Sequence, residues 1–172
     1  MSFQILPVTS AADLDAVRAL CWDYRQVLID NNPVDLEITE RFYPVPKYET
    51  LMAGLAQEHA RPKGIILLAR DTTGLPAGCG MSHALDAHTS EIKRVFVPES
   101  HRGQGIAAHL CTALVDQARE DGFTRVVLDT STHLPAAKHL YDKLGFARRG
   151  PYQPMPEDLL PHLLFFEKSL TA

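Results

Sequence analysis

Val95-Phe96-Val97-Pro98-Glu99-Ser100-His101-Arg102-Gly103-Gln104-Gly105-Ile106-Ala107 is the stretch on which the reading of the fold turns. Its first residues have the β-branched and aromatic character of a strand, and Pro98 ends them, because proline has no N–H to give a ladder. Beyond the loop, Ala108, Leu110, Cys111, Leu114, Val115 and Ala118 recur at helical spacing, and Gly122 ends a helix running from about Gly105 to Asp121. Strand, loop and helix follow each other within one short stretch. Glycines 103 and 105 let the backbone come close to a ligand. The helix that opens there offers N–H groups at the positive end of its dipole, which suits a pyrophosphate. The spacing is neither G-x-x-x-x-G-K-[ST] nor the three-glycine dinucleotide fingerprint. A plain helix cap would carry the same glycines.

Outward from this stretch, the alternation around Glu91 to Val97 predicts a strand. Upstream, Gly64 to Arg70 reads as a buried strand, Asp71 to Gly74 as its turn, and Pro76 to Ala84 as its hairpin partner. Phe3 to Val8 is a short strand. Thr9 to Asp13 begins a helix with a hydroxyl cap, which ends near Asp30 to Pro33. A second helical region lies within Leu36 to His59 and must break at Tyr43-Pro44-Val45-Pro46. Downstream, Thr124 to Asp129 is a strand with an apolar centre, Pro135 to Leu144 a helix closed by Gly145, and Phe146 to Tyr152 and Leu163 to Lys168 two last strands. The expectation is an α/β fold with a mixed sheet of about six to seven strands and about four helices. One domain over residues 1–172 is expected, without repeat or linker.

Composition narrows the functions. Hydrophobic residues make up 45% of the 172 and charged ones 22%, a globular balance, and the net charge of −4 speaks against a general nucleic-acid binder. No run approaches a membrane span, and the N-terminus lacks a secretory pattern, so no membrane partner and a cytoplasmic setting are expected. Cys21, Cys79 and Cys111 are widely spaced and read as small buried hydrophobes. The eight histidines form no ligand set, so no metal is expected, and no nucleophile elbow is present.

Arg102-Gly103-Gln104-Gly105-Ile106-Ala107 resembles the R/Q-x-x-G-x-G/A signature of the Gcn5-related N-acetyltransferase (GNAT) family. Ala137-Lys138-His139-Leu140-Tyr141-Asp142-Lys143-Leu144-Gly145-Phe146 is similar to that family's A-x-x-L-Y-x-x-x-G-F block. The two occur in the family's order, with the strand Arg125 to Asp129 between them. The resemblance covers about Lys63 to Lys168 and implies a splayed, GNAT-like sheet, with the helices of residues 10–60 on the substrate side. It implies acetyl-CoA as cosubstrate, lying between Val95–Val97 and Val126–Asp129. Val95, Phe96 and Val97 would bond the pantetheine amides; Arg102, Gly103, Gln104, Gly105, Ile106 and Ala107 would hold the pyrophosphate; and Ala137 would join them. One departure is Leu134, where many members carry Asn seven residues before the tyrosine.

The implied activity is N-acetylation of a primary amine, on a small molecule or a protein, by direct transfer in a ternary complex. The alternatives are transfer to a hydroxyl and a CoA-binding regulatory module without catalysis. Tyr141 is the candidate acid, since a phenol keeps its proton at pH 7. Glu91 is the candidate base. It stands six residues before Val97, on the same side of a regular strand, and at the position where the histone-acetylating branch carries its glutamate. The acceptor and the oligomeric state, a homodimer included, stay open.

Overall fold

The computed structural model describes residues 2–171; the outermost residues of the expected domain, 1 and 172, lie outside them. Seven strands form one sheet: β1 (Phe3–Pro7), β2 (Ile65–Asp71), β3 (Pro76–Ala84), β4 (Thr89–Phe96), β5 (Arg125–Ser131), β6 (Ala147–Arg149) and β7 (Leu163–Ser169). Their order is β1-β2-β3-β4-β5-β7-β6, and β4 with β5 is the parallel pair among antiparallel neighbours. The helices are α1 (Ala11–Asn31), α2 (Pro33–Phe42), α3 (Val45–Ala53), α4 (Leu55–Glu58), α5 (Ile106–Glu120) and α6 (Pro135–Lys143).

Local chemistry explains the element ends. The Ser10 side chain accepts a hydrogen bond from the Asp13 amide and caps α1, as the hydroxyl-then-acid pattern predicts. The second helical region starts earlier than expected. The side chain of Asn32 accepts from the Val34 and Asp35 amides, and Pro33 takes the first helical position, where its missing N–H costs nothing. The break at Tyr43 and Pro44 falls where the prolines demand it, and the region resolves into three short helices. The expected strand from Phe146 to Tyr152 shortens to Ala147–Arg149.

The sheet is covered on both faces. One core packs α5 and Tyr141 against Leu67, Ile92, Val126, Leu128 and Phe166; the other packs α1 and α3 against Ile66, Leu68, Cys79, Met81 and Phe96. Each large apolar side chain removed from water contributes about 1.5–3 kcal/mol. The three cysteines are buried free thiols. Among the described residues no helix is long and apolar enough to cross a membrane, and no group of three or more His, Cys, Asp or Glu is poised for a metal.

Two irregularities open the sheet. Strand β4 pairs with β5 only at Thr89↔Arg125, Ser90↔Val126 and Glu91↔Val127, and beyond that register the two strands part. On its other side β4 carries one extra residue: Cys79 opposes Phe96 and Met81 opposes Lys93. Arg94 sits in this bulge with φ 53°, the one non-glycine residue in the left-handed region among the described residues. Past the bulge, β4 is left with backbone groups that β5 does not take up.

Candidate active site

A cleft of about 770 Å³ occupies the gap between the diverging strands. Val95, Phe96, Val97, Arg102, Gly103, Gly105, Ile106, Ala107, Ala137 and Tyr141 all line it, so most of the residues expected at a donor site lie on one wall system. Gln104 does not; it is exposed, and its Oε1 accepts a hydrogen bond from Ser2 Oγ at 3.1 Å.

The end of the cleft at the glycine loop is built mainly of backbone. Gly103 and Gly105 have φ of 76° and 81°, and Gly105 caps α5. A Cβ at Gly103 would meet nothing within 4 Å, so the loop is open to whatever approaches it. The first N–H groups of α5 have no partner within the helix, and they stand at the positive end of its dipole. The residues present therefore fit a pyrophosphate. Arg102 is exposed and turns back, its Nε donating to the Val97 carbonyl at 3.3 Å.

Tyr141 lies at the foot of this half. Its ring is wedged against Phe146 and Phe166, at centroid distances of 5.8 and 5.4 Å, which fixes the direction of its hydroxyl. Burial pushes its pKa well above the usual phenol value, and Tyr24 and Asp129 add to the effect, so it is protonated at neutral pH. Leu134, the departure from the family pattern, lines the cleft at the start of α6 and makes no side-chain cap there.

Glu91 is not on the cleft wall. It is 2% exposed and enclosed by four donors. Its Oε1 faces His83 Nε2 at 2.7 Å and Lys93 Nζ at 3.4 Å, while Oε2 accepts from Tyr152 at 2.6 Å and from Gln153 at 3.1 Å. Burial alone would raise its pKa, but His83, Lys93 and Tyr152 outweigh burial and hold it at about 2. The expectation that Glu91 shares a side with Val97 rested on unbroken alternation, and the extra residue at Arg94 breaks that alternation between them. His83 is a member of this network.

The residue that the sequence reading passed over is Asp129. Two carboxylates line the cleft. Asp35 is buried and accepts from Asn31, Asn32 and Ser131 at 2.6, 2.9 and 2.5 Å. Asp129 is accessible in the open cleft but walled by protein on most sides, and this enclosure raises its pKa against the pull of Lys93, with Glu91 beside it acting in the same direction as burial. Tyr152 stands between the two acids. Its single proton goes to Glu91 at 2.6 Å and leaves only a long 3.5 Å approach to Asp129. A lone aspartate at the end of an apolar strand carries no motif, which is why only the fold reveals it.

At the far end, α1 to α3 close the cleft with aromatic rings and cations. Tyr24 stacks on Phe96 at 5.4 Å, and Tyr48 donates to the Cys21 carbonyl at 2.7 Å. Arg25 ties α1 to the C-terminal end of α2, with Nε donating to the Tyr43 carbonyl at 3.0 Å and Nη2 paired with Glu40 at 2.8 Å.

Residues 31–146 match the acetyltransferase (GNAT) family. A relative, the IAA acetyltransferase of Azospirillum brasilense, is 38% identical over 116 residues, which is 66% of this chain and 73% of the relative. An acetyltransferase of the GNAT family from Staphylococcus aureus Mu50 shares the fold with a TM-score of 0.75 at 15% identity, covering 98% of this chain and 99% of the other. The Salmonella typhimurium protein yncA, solved with its cofactor acetyl-CoA, has a TM-score of 0.70 at 19% identity, covering 99% of this chain and 95% of the other. With its divergent β4 and β5, its glycine loop and its tyrosine, the chain belongs to the GNAT acetyltransferase family and is an acetyl-CoA-dependent acyltransferase.

Proposed function

We propose that this protein acetylates a primary amine by direct transfer within a ternary complex, residues 2–171 working as one unit in which α1 to α3 form the acceptor wall. Acetyl-CoA supplies the thioester whose C–S bond breaks as the C–N bond to the amine forms. Val95, Phe96 and Val97, unpaired by β5, hydrogen-bond the pantetheine arm, the loop from Arg102 to Ala107 together with Ala137 holds the rest of the donor, and α1 covers this segment through Tyr24 on Phe96. Tyr141 gives its proton to the departing sulfur.

The amine must lose a proton to attack, and Asp129 takes it. A carboxylate whose pKa is raised by enclosure is a better base than an ordinary one. Glu91 contributes through Tyr152 and Lys93 rather than by contact with the acceptor. The single observation that carries this reading is the joint presence of Tyr141 and Asp129 in the cleft where β4 leaves β5. The test is thiol release from acetyl-CoA over an amine panel, with the product weighed by mass spectrometry and initial rates taken over both substrates. Intersecting lines and an acetylated amine are expected. An acetylated enzyme with parallel lines, acetylated alcohols only, or tight CoA binding without any transfer would each replace the proposal.

A further inference from the structure

Arg94 has a charge that the fold leaves unanswered. Its Nη1 is buried without a hydrogen-bond partner among the described residues. Its guanidinium lies over the rings of Tyr43 and Tyr48, 5.8 and 5.9 Å from their centroids. Its neighbours are treated differently. Arg25, against the same Tyr48 ring at 5.9 Å, is paired with Glu40, and Lys93 reaches Glu91. No carboxylate of a described residue stands within ion-pair distance of Arg94, and its backbone is held at φ 53°, in a region that a non-glycine residue rarely adopts.

A left-handed backbone presents this cation to the cleft, and the rings beside it supply attraction but no counter-charge. A partly buried guanidinium without a counter-charge is an unfavourable state that a planar anion relieves, because two of its N–H groups match a carboxylate. The same cleft is lined by Asp129, a carboxylate suited to an ammonium group, and by Tyr24, Ile38 and Tyr43.

We propose that the acceptor is a small amine that also bears a carboxylate, in the manner of an apolar amino acid, with Arg94 holding the carboxylate and Tyr24, Ile38 and Tyr43 contacting its apolar part. This deepens the amine-acetylation reading and rests on it for the identity of the site, but its test reads binding as well as transfer. The complex with CoA is titrated by calorimetry with L-phenylalanine, L-leucine and 4-(aminomethyl)benzoate, which span two amine-to-carboxylate separations. Their matched partners without the acid group are phenethylamine, isopentylamine and benzylamine.

In the parent protein at least one carboxylate-bearing ligand is expected to bind about 10- to 100-fold more tightly than its partner, the range of a charged hydrogen bond. Arg94→Gln is expected to abolish that ratio, and Arg94→Lys to restore part of it. The parent panel needs no variant, so a misfolded Arg94→Gln does not rescue the idea. Equal or tighter binding of all three bare amines overturns it, as does an Arg94→Gln protein that keeps the ratio or that loses CoA affinity instead. A preserved binding ratio with no acetyl transfer would sink the amine-acetylation reading while leaving Arg94 as an anion site.

Discussion

The proposed donor half and the proposed acceptor half of the cleft are built by opposite means. From Val95 to Ala107 the groups offered to the cleft are main-chain amides and carbonyls left by the parting of β4 and β5 and by two left-handed glycines. From α1 to α3, and at Arg94 and Asp129, they are charged and aromatic side chains set against one another. A backbone site tolerates most changes of neighbouring side chain, because a peptide group is the same in every residue. A side-chain site can be retuned one residue at a time. The contrast explains how one fold can keep its donor and vary its acceptor, and each experiment below strains one side of it.

The largest effect is expected where the halves meet. Tyr141→Phe keeps the packing on Phe146 and Phe166 and removes only the hydroxyl, so the fold and acetyl-CoA affinity should hold while kcat falls about 10²- to 10⁴-fold. An unchanged kcat on a chemistry-limited amine would remove Tyr141 from the reaction.

Next comes the pair of acids. Asp129→Asn should lower kcat/KM by about 10²-fold or more and remove the acid limb of the pH profile, which lies above the ordinary aspartate range because the Asp129 pKa is raised. Glu91→Gln should act mainly on stability. A folded pKa near 2, against an ordinary 4.5, means that the Glu91 network stabilises the protein fully above pH 4.5 and ceases to do so as the pH falls through 2. The stability gap between parent and variant should therefore be on the order of 3 kcal/mol at pH 7 and close over that window, as read by urea unfolding at several pH values. If Glu91→Gln abolishes the acid limb and Asp129→Asn leaves it, the base is Glu91 after all.

Gly105→Val challenges the backbone half. A β-branched residue at φ 81° is a strained outlier, and its Cβ would also stand 3.6 Å from the His109 ring. We expect about 1–3 kcal/mol lost in stability and at least about a tenfold weaker Kd for CoA by calorimetry. A folded variant with unaltered CoA affinity would move the donor away from this loop. The smallest effect belongs to Arg41→Ala. Its 2.7 Å pair with Asp158 joins α2 to the segment before β7, but both partners are exposed. A loss below about 1 kcal/mol is expected, and a larger one would reveal a tether on the acceptor wall.

Some of this molecule was readable along the chain. Period-2 and period-3.6 patterns, Pro98, Gly122 and the Ser10 cap located the elements, because these signals act within a few residues of where they stand. The glycine loop and Tyr141 belong to the same local class, since glycines at a helix start and a tyrosine in a fixed block stand out along the chain, and the structure puts both on the cleft lining. Tertiary structure alone decided the rest. The bulge at Arg94 depends on how β4 meets β3, and it overturned an alternation that the residues from Glu91 to Val97 had suggested. Whether Glu91 faced the cleft or a ring of donors depended on Tyr152 and Gln153, about sixty positions away, and Asp129 acquired its raised pKa from walls supplied by other elements. A carboxylate's chemistry is set by what surrounds it, and surroundings assembled from distant segments leave no mark at the residue itself.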